Sequence, residues 1–75
     1  MPNFAEYEGS KGKCVCVRGV VALRETDAAL MVQFEGGDEA WVPKSQIDDD
    51  SEVYEEGHEG MLIVTAWLAE KKGWF

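Results

Sequence analysis

The strongest strand pattern of the sequence lies near the amino terminus and reads Lys13-Cys14-Val15-Cys16-Val17-Arg18-Gly19-Val20-Val21-Ala22-Leu23-Arg24. It is rich in β-branched residues, contains no proline and has one glycine near its middle. β-branched side chains favour strands, and a glycine inside a strand marks a bulge or a sharp bend. The stretch therefore predicts one long, bent strand.

Three further strand segments follow, and turn-forming residues separate them. Apolar and more polar side chains alternate over residues 30–35, which is typical of a half-buried strand. Gly36-Gly37-Asp38 predicts a hairpin loop before a short strand at 39–42. Pro43 ends that strand or places it at an edge of the sheet. The run Met-Leu-Ile-Val at 61–64 predicts a buried strand.

One turn and one helix complete the pattern. Residues 44–47 are too few for a stable helix and predict a turn that directs Ile47 inward. Thr65 is a suitable N-cap for a short helix over residues 66–72, and Gly73 is a suitable stop. These signals predict where the helix begins and ends.

The size of the tryptophan side chains predicts whether they lie in the core or at the surface. In so small a chain, large aromatic side chains are first of all core material, so we expect Trp41 and Trp67 in the core. Trp74 and Phe75 are expected to fold back as an apolar lid or to form a contact surface.

The order of these segments predicts a mainly β protein with a short C-terminal helix. The expected architecture is a small antiparallel barrel of SH3-like or OB-like type with about four to five strands. A chain of 75 residues is half the length of a typical domain, so we expect residues 1–75 to form one domain. Residues 1–10 and the acidic segment described below are expected to be flexible.

Composition narrows the function classes. Hydrophobic residues make up 45% of the chain, which is too apolar for a disordered tail. No apolar run approaches the roughly 20 residues that cross a bilayer, and residues 1–6 lack the pattern of a signal peptide, so we expect a soluble, cytoplasmic protein. The net charge of -8 repels nucleic acid and anionic membranes and points to a basic protein partner.

The acidic segment, residues 48–59, holds seven carboxylates and no lysine or arginine, and the rest of the chain has eight acids against seven bases. The segment is either a solvated loop or an anionic surface that presents carboxylates where a nucleic-acid-binding protein expects phosphates. Val53 and Tyr54 would then supply an apolar grip. The candidate contacts are Asp48, Asp49, Asp50, Glu52, Tyr54, Glu55, Glu56 and Glu59.

Metal, cofactor and catalytic sites are not indicated. Carboxylates of the acidic segment match several offsets of a calcium-binding EF-hand loop, but Val53 stands where that loop needs glycine. Cys14, Cys16 and His58 are three ligands where a closed zinc site needs four, so we expect free thiols. No phosphate-binding glycine loop or nucleophile motif is present, and we expect neither a cofactor nor enzymatic activity.

The second half of the sequence carries a resemblance to a known group of proteins. Its residues are Ala40-Trp41-Val42-Pro43-Lys44-Ser45-Gln46-Ile47, Asp49-Asp50-Ser51-Glu52-Val53, Gly57, Gly60 and Val64-Thr65-Ala66-Trp67-Leu68-Ala69-Glu70-Lys71-Lys72-Gly73. This pattern resembles small proteins encoded by phages and prophages of bacteria, over about residues 18–75. The resemblance implies a compact barrel-like fold. In a phage setting, short acidic proteins often resemble inhibitors of host immunity, including anti-CRISPR proteins that imitate DNA.

The leading hypothesis is a non-enzymatic phage protein whose acidic face docks on the basic nucleic-acid channel of a bacterial defence complex, such as a CRISPR effector subunit. The alternative is a barrel module that binds nucleic acid or a replication protein through Trp41 and the basic residues Arg18, Arg24 and Lys44. A third class, sequestration of a small molecule, would require a pocket.

Overall fold

The structure, a computed structural model, describes residues 3–10 and 12–74. Its elements in chain order are β1 (Ala5–Gly9), β2 (Gly12–Glu25), β3 (Ala29–Gln33), β4 (Glu39–Pro43), a 3₁₀ turn (Lys44–Gln46), β5 (Glu59–Thr65) and α1 (Ala66–Lys71). The strands of the described chain form one antiparallel sheet around a common core. The predicted mainly β, barrel-like fold with a short C-terminal helix is confirmed.

The long strand β2 is the centre of the sheet because both of its edges are paired. Residues 14–16 pair with β1 and with β5, whereas Val21 pairs with β3 and with β5. β1 and β3 therefore share one edge of β2, and β5 takes the other. The register to β5 shifts between Val17 and Val20, where Gly19 has a φ of 73°. This is the bend that the glycine predicts.

Strands β3 and β4 form the predicted hairpin. Gly36 and Gly37 have φ values of 94° and 100°, which residues with a Cβ rarely adopt. Phe34 N–H donates to the Asp38 carbonyl at 2.8 Å and closes the turn. Strand β4 lies at an edge of the sheet and ends at Pro43, which has no amide hydrogen to extend the pairing.

The core is filled by inward-facing side chains of the strands together with residues of the connections. Its fully buried members are Val15, Val20, Leu30, Val32, Val42, Val53, Leu62, Val64 and Ala69. Burial of one aliphatic side chain contributes about 1.5 to 3 kcal/mol, so this set holds the strands of the sheet together around the core. Ile47 is 6% exposed, and the predicted inward turn at residues 44–47 is confirmed.

Residues 5–9 form a strand, although the sequence predicts a flexible stretch over 1–10. Strand β1 pairs with β2 from Ala5 opposite Cys16 to Gly9 opposite Gly12. Its side chains are mostly exposed, so backbone pairing and not an apolar pattern holds it. The segment is a strand because it pairs with an edge of β2. Its own composition does not reveal that pairing. Residues 1 and 2 lie outside the described residues.

The C-terminal helix begins at Ala66, as the sequence predicts, and ends at Lys71, one residue before the predicted end. Thr65 Oγ1 accepts a hydrogen bond from Leu68 N–H at 3.2 Å. Beyond the helix, Gly73 has a φ of 75°, which allows the chain to turn back. Leu68 and Ala69 are the helical residues buried against the core.

Of the two tryptophans at this end, Trp67 differs from the prediction, whereas Trp74 folds back over the core as one of its two predicted alternatives. Trp67 is 58% exposed, and its assignment to the core is wrong because the two residues after it take the inward side of the short helix. Trp74 packs against the core instead. Its ring stacks on Phe4 and meets Phe34 edge-on, both at 5.3 Å between centroids. Phe75, predicted to share a lid with Trp74, lies outside the described residues.

Candidate functional site

The acidic segment, residues 48–59, is hydrogen-bonded to the sheet near both of its ends. The amides of Asp48 and Glu52 donate to carbonyl oxygens of β5 at 2.9 Å. Gly57 N–H donates to the Ala22 carbonyl of β2, also at 2.9 Å. The backbone of the segment is thus hydrogen-bonded to two strands. This differs from the flexible loop that its composition predicts.

Two side chains of the acidic segment point inward. Val53 is fully buried in the core, and Ser51 is 4% exposed. Ser51 Oγ donates to the Val53 carbonyl at 2.9 Å and accepts from Ile63 N–H at 3.1 Å. The prediction that Val53 supplies an apolar grip for a partner is wrong, because the bonded backbone turns its side chain toward the sheet.

Asp48 is also buried, at 2% exposure, and it joins the acidic segment to the turn between β1 and β2. Its Oδ1 accepts from Ser10 Oγ at 3.1 Å and from Cys14 Sγ at 3.6 Å, and its Oδ2 accepts from Asp50 N–H at 3.0 Å. A Cβ at Gly9 would lie 2.5 Å from Oδ1, so only glycine fits there. The prediction of Asp48 as a partner contact is wrong, since its carboxylate has a structural role.

The Cys14 thiol lies beside this buried carboxylate. Burial raises the pKa of Cys14, and the charge of Asp48 and the hydrogen bond to it raise that pKa further. A thiolate at this position would face a carboxylate, so the thiol is held neutral. Cys16 is half-buried, and both cysteines are free, as predicted.

The other carboxylates of the segment are exposed. We define the acidic surface as Asp49, Asp50, Glu52, Glu55, Glu56 and Glu59 together with Tyr54, which is 51% exposed. Asp50 Oδ2 accepts from Tyr7 OH at 3.0 Å, and this hydrogen bond raises the pKa of Tyr7. Glu52 Oε1 accepts from Met61 N–H at 2.8 Å. These contacts hold two of the carboxylates in place while leaving them open to solvent.

The end of the acidic segment is connected to β2 and to the 3₁₀ turn through Glu25. Its carboxylate pairs with Lys44 Nζ and accepts from Glu56 N–H at 3.1 Å. These two contacts, the hydrogen bond from Lys44 first, lower the pKa of Glu25. Nearby, the rings of Tyr54 and His58 meet edge-on at 4.6 Å between centroids.

The alternative site, around Trp41, lies on the outer face of the sheet. Trp41 is 40% exposed, whereas the next residue, Val42, is fully buried. Successive side chains of a strand point to opposite faces, so the assignment of Trp41 to the core is wrong. The strand register places Trp41 opposite Met31 and Met31 opposite Arg24. The alternation in residues 30–34 places Met31 outward, but no motif in the sequence marks it as a site residue.

Residues 3–10 and 12–74 contain neither a group of metal ligands nor a membrane-spanning helix. No three His, Cys, Asp or Glu side chains there lie close enough together to hold a metal ion. None of the helices in that part of the chain is long and apolar enough to span a bilayer.

The comparisons with known proteins bear on the family resemblance. No family model, curated protein or solved structure matches the chain. The resemblance to phage and prophage proteins therefore stays a prediction, and the function is argued from the residues of this chain.

Proposed function

We propose that the protein is a non-enzymatic binding protein whose acidic surface docks on the basic nucleic-acid-binding surface of another protein. The family resemblance suggests a bacterial defence complex, including the effector subunits of CRISPR systems, as the class of partner. In this proposal the protein imitates DNA, because its carboxylates take the positions of phosphates. The docked protein then keeps nucleic acid out of the partner's channel.

The bonded backbone of the acidic segment carries the proposal. Ser51 and Val53 are buried, and the amides of Asp48, Glu52 and Gly57 are bonded to the sheet. The residues between them are thereby held outward before any partner arrives. A preordered surface loses less conformational entropy on binding than a flexible tail does. A charge run that only confers solubility needs no such attachment.

Charge supports the same class of partner. The chain has a net charge of -8, and the acidic segment supplies seven of its fifteen acids. A field of this sign accelerates the approach of a groove lined by lysine and arginine and repels phosphate. Binding to a basic protein is therefore favoured over direct binding to nucleic acid.

The test is affinity capture from a bacterial lysate with two variants of equal charge. The acidic-surface variant carries Asp49→Lys, Glu55→Lys and Glu56→Lys, and the control carries Glu6→Lys, Asp27→Lys and Glu70→Lys, all at exposed positions. Each set replaces three charges of -1 with +1, so both variants move from -8 to -2. The two proteins therefore differ only in where the charge is reversed.

We expect wild type and control to retain the same nucleic-acid-binding proteins, and the acidic-surface variant to lose them. Excess duplex DNA should release these proteins, and so should salt well above about 0.15 M, where the screening length is near 8 Å. Equal retention by the acidic-surface variant and the control would contradict the proposal.

A second candidate function rests on the exposure of Trp41 beside Arg24. In that case the outer face binds single-stranded nucleic acid, with a base stacked on the indole. A labelled single-stranded oligonucleotide should then shift in a gel at low salt, and Trp41→Ala should abolish the shift. Absence of a shift with wild type would exclude this candidate.

A further inference from the structure

The outer face of β2, β3 and β4 carries an apolar row that no other part of the described chain covers. Met31 and Trp41 lie opposite each other in adjacent strands, with Arg24 next in the row. Trp41 is 40% exposed and Met31 is partly exposed. Leu23, at the register shift of β2 beside Arg24, is 38% exposed. Large apolar side chains grouped on an open sheet face are typical of an interaction surface.

A second row on the same face has a carboxylate at each end. It runs Glu59, Val21, Gln33, Glu39 across β5, β2, β3 and β4. Adjacent strands lie about 4.8 Å apart, so three spacings place the two glutamates about 14 Å apart. The outer face thus combines an apolar row with a row that ends in two negative charges.

We propose that this outer face docks a basic segment of a partner protein. The segment lays an apolar side chain on Trp41 and Met31 and directs cations toward Glu39 and Glu59. The inference goes beyond the proposed function, because the surface shares only Glu59 with the acidic surface. It also does not require the partner to bind nucleic acid.

Charge favours a basic segment of a partner over a second copy of the chain or nucleic acid as the occupant of the outer face. Glu39 and Glu59 outnumber Arg24, the cation of the two rows, and a second copy also has a net charge of -8, so long-range repulsion disfavours its approach. Nucleic acid would bring phosphates to the same two carboxylates. A basic segment meets the negative charges and the apolar row together.

The face, and not the edge of β4, is the binding surface. Addition of a partner strand to that edge is disfavoured by Pro43, which has no amide hydrogen, and by the charge of Glu39. Neither residue hinders contact with the exposed side of the Trp41 ring.

The test is an NMR titration of the full-length chain, labelled with ¹⁵N, with a synthetic lysine–leucine peptide. The peptide is designed to form a helix with one leucine face, and a scrambled peptide of the same composition lacks that face. The indole N–H groups of Trp41, Trp67 and Trp74 give three separate signals. We expect the leucine-faced peptide to shift the Trp41 indole and the amides of Met31 and Gln33, and to leave the other two indoles unchanged.

Variants measure how much each side chain contributes. Trp41→Thr should weaken binding of the leucine-faced peptide by about tenfold or more, as for the central residue of an interface. Met31→Thr, in the same row, should weaken it by a smaller factor, about threefold. Threonine suits a strand, and the amide spectrum reports whether each variant is folded. Trp67→Ala, at a more exposed indole, should change the affinity by less than about twofold.

Several results would overturn the inference. They are unchanged affinity of Trp41→Thr, equal binding of the scrambled peptide, and shifts confined to residues 48–59. Tighter binding of a thymidine oligonucleotide than of the peptide at Trp41 would assign the face to nucleic acid. Dimerisation that Trp41→Thr abolishes would assign it to a second copy.

One variant separates this inference from the proposed function. In the acidic-surface variant the outer face is unchanged, so the peptide should still shift the Trp41 indole. That result supports the inference even if lysate capture fails. Loss of the Trp41 shift in this variant would overturn it.

Discussion

Residues 48–59 and residues 66–74 both pack beside β5. In each segment, the burial of one side chain is the opposite of what the polarity of that side chain predicts. In the first, the carboxylate of Asp48 is 2% exposed, whereas in the second the indole of Trp67 is 58% exposed. Asp48 is buried because its carboxylate accepts hydrogen bonds from donors that include Ser10, Cys14 and Asp50. Trp67 is exposed because a helix of six residues has few inward positions. Bonding partners and backbone geometry thus decide burial here, and polarity alone does not.

The two segments have the same arrangement of inward and outward side chains. Each has an inward residue that packs on the core, Val53 in the first and Trp74 in the second. Each also has an aromatic residue that remains exposed, Tyr54 directly after Val53 and Trp67 on the helix before Trp74. The inward residues carry stability, and the outward ones are free to contact a partner. Matched substitutions at these pairs should therefore have very different effects.

The largest contrast is expected at positions 53 and 54. Val53→Asp places a carboxylate in the core without a partner, which costs several kcal/mol, about the whole stability of a domain this small. Tyr54→Asp makes the same change of charge at an exposed site. Circular dichroism should show Val53→Asp unfolded and Tyr54→Asp native. A folded Val53→Asp protein would mean that the acidic segment is not attached through this residue.

The next contrast is between Trp74 and Trp67. Trp74→Ala should cost about 2 to 3 kcal/mol, below the roughly 3 to 5 kcal/mol of a fully buried tryptophan, because Trp74 is half-buried. Trp67→Ala should cost less than about 1 kcal/mol, since it removes an exposed contact with Lys71 Nζ, 5.0 Å from the ring centroid. Urea unfolding followed by circular dichroism measures both. Equal costs would show that Trp74 does not pack on the core as described.

These contrasts also show what the sequence can predict. The hairpin at Gly36 and Gly37, the cap at Thr65 and the inward turn of Ile47 depend on residues close by in the chain, and local patterns predict them. The buried state of Asp48 depends on Ser10, 38 residues away. No local pattern carries that information.

The candidate site, too, can be predicted from the sequence only where it depends on residues close by in the chain. Charge alone predicts the exposed carboxylates of residues 48–59, because a dense acidic run stays at the surface. It does not predict that Val53 and Ser51 attach the run to the sheet, since that depends on pairing with β5. For strand β1, too, the sequence shows only five mostly polar residues, and the open edge of β2 makes them a strand.

A smaller effect is expected from pH at the contact between Asp48 and Cys14. The folded chain raises the pKa of Cys14 above its ordinary value of 9.0. Above that pH the unfolded chain loses a proton that the folded chain keeps, so the free energy of unfolding falls as pH rises. Cys14→Ser removes this titration, and its stability should fall less than that of wild type between pH 9 and about 10. Identical pH dependence would contradict the contact.

The proposed function requires that the acidic segment is held in place before it binds. Hydrogen exchange followed by NMR tests it directly at the amides of Asp48, Glu52 and Gly57, which are bonded to the sheet. Asp49 and Glu55 serve as controls, because their amides have no bonded acceptor among the described residues. The first three should exchange at least about 100-fold more slowly than the controls. Exchange of all five at the rate of an unstructured chain would show a flexible loop and contradict the claim.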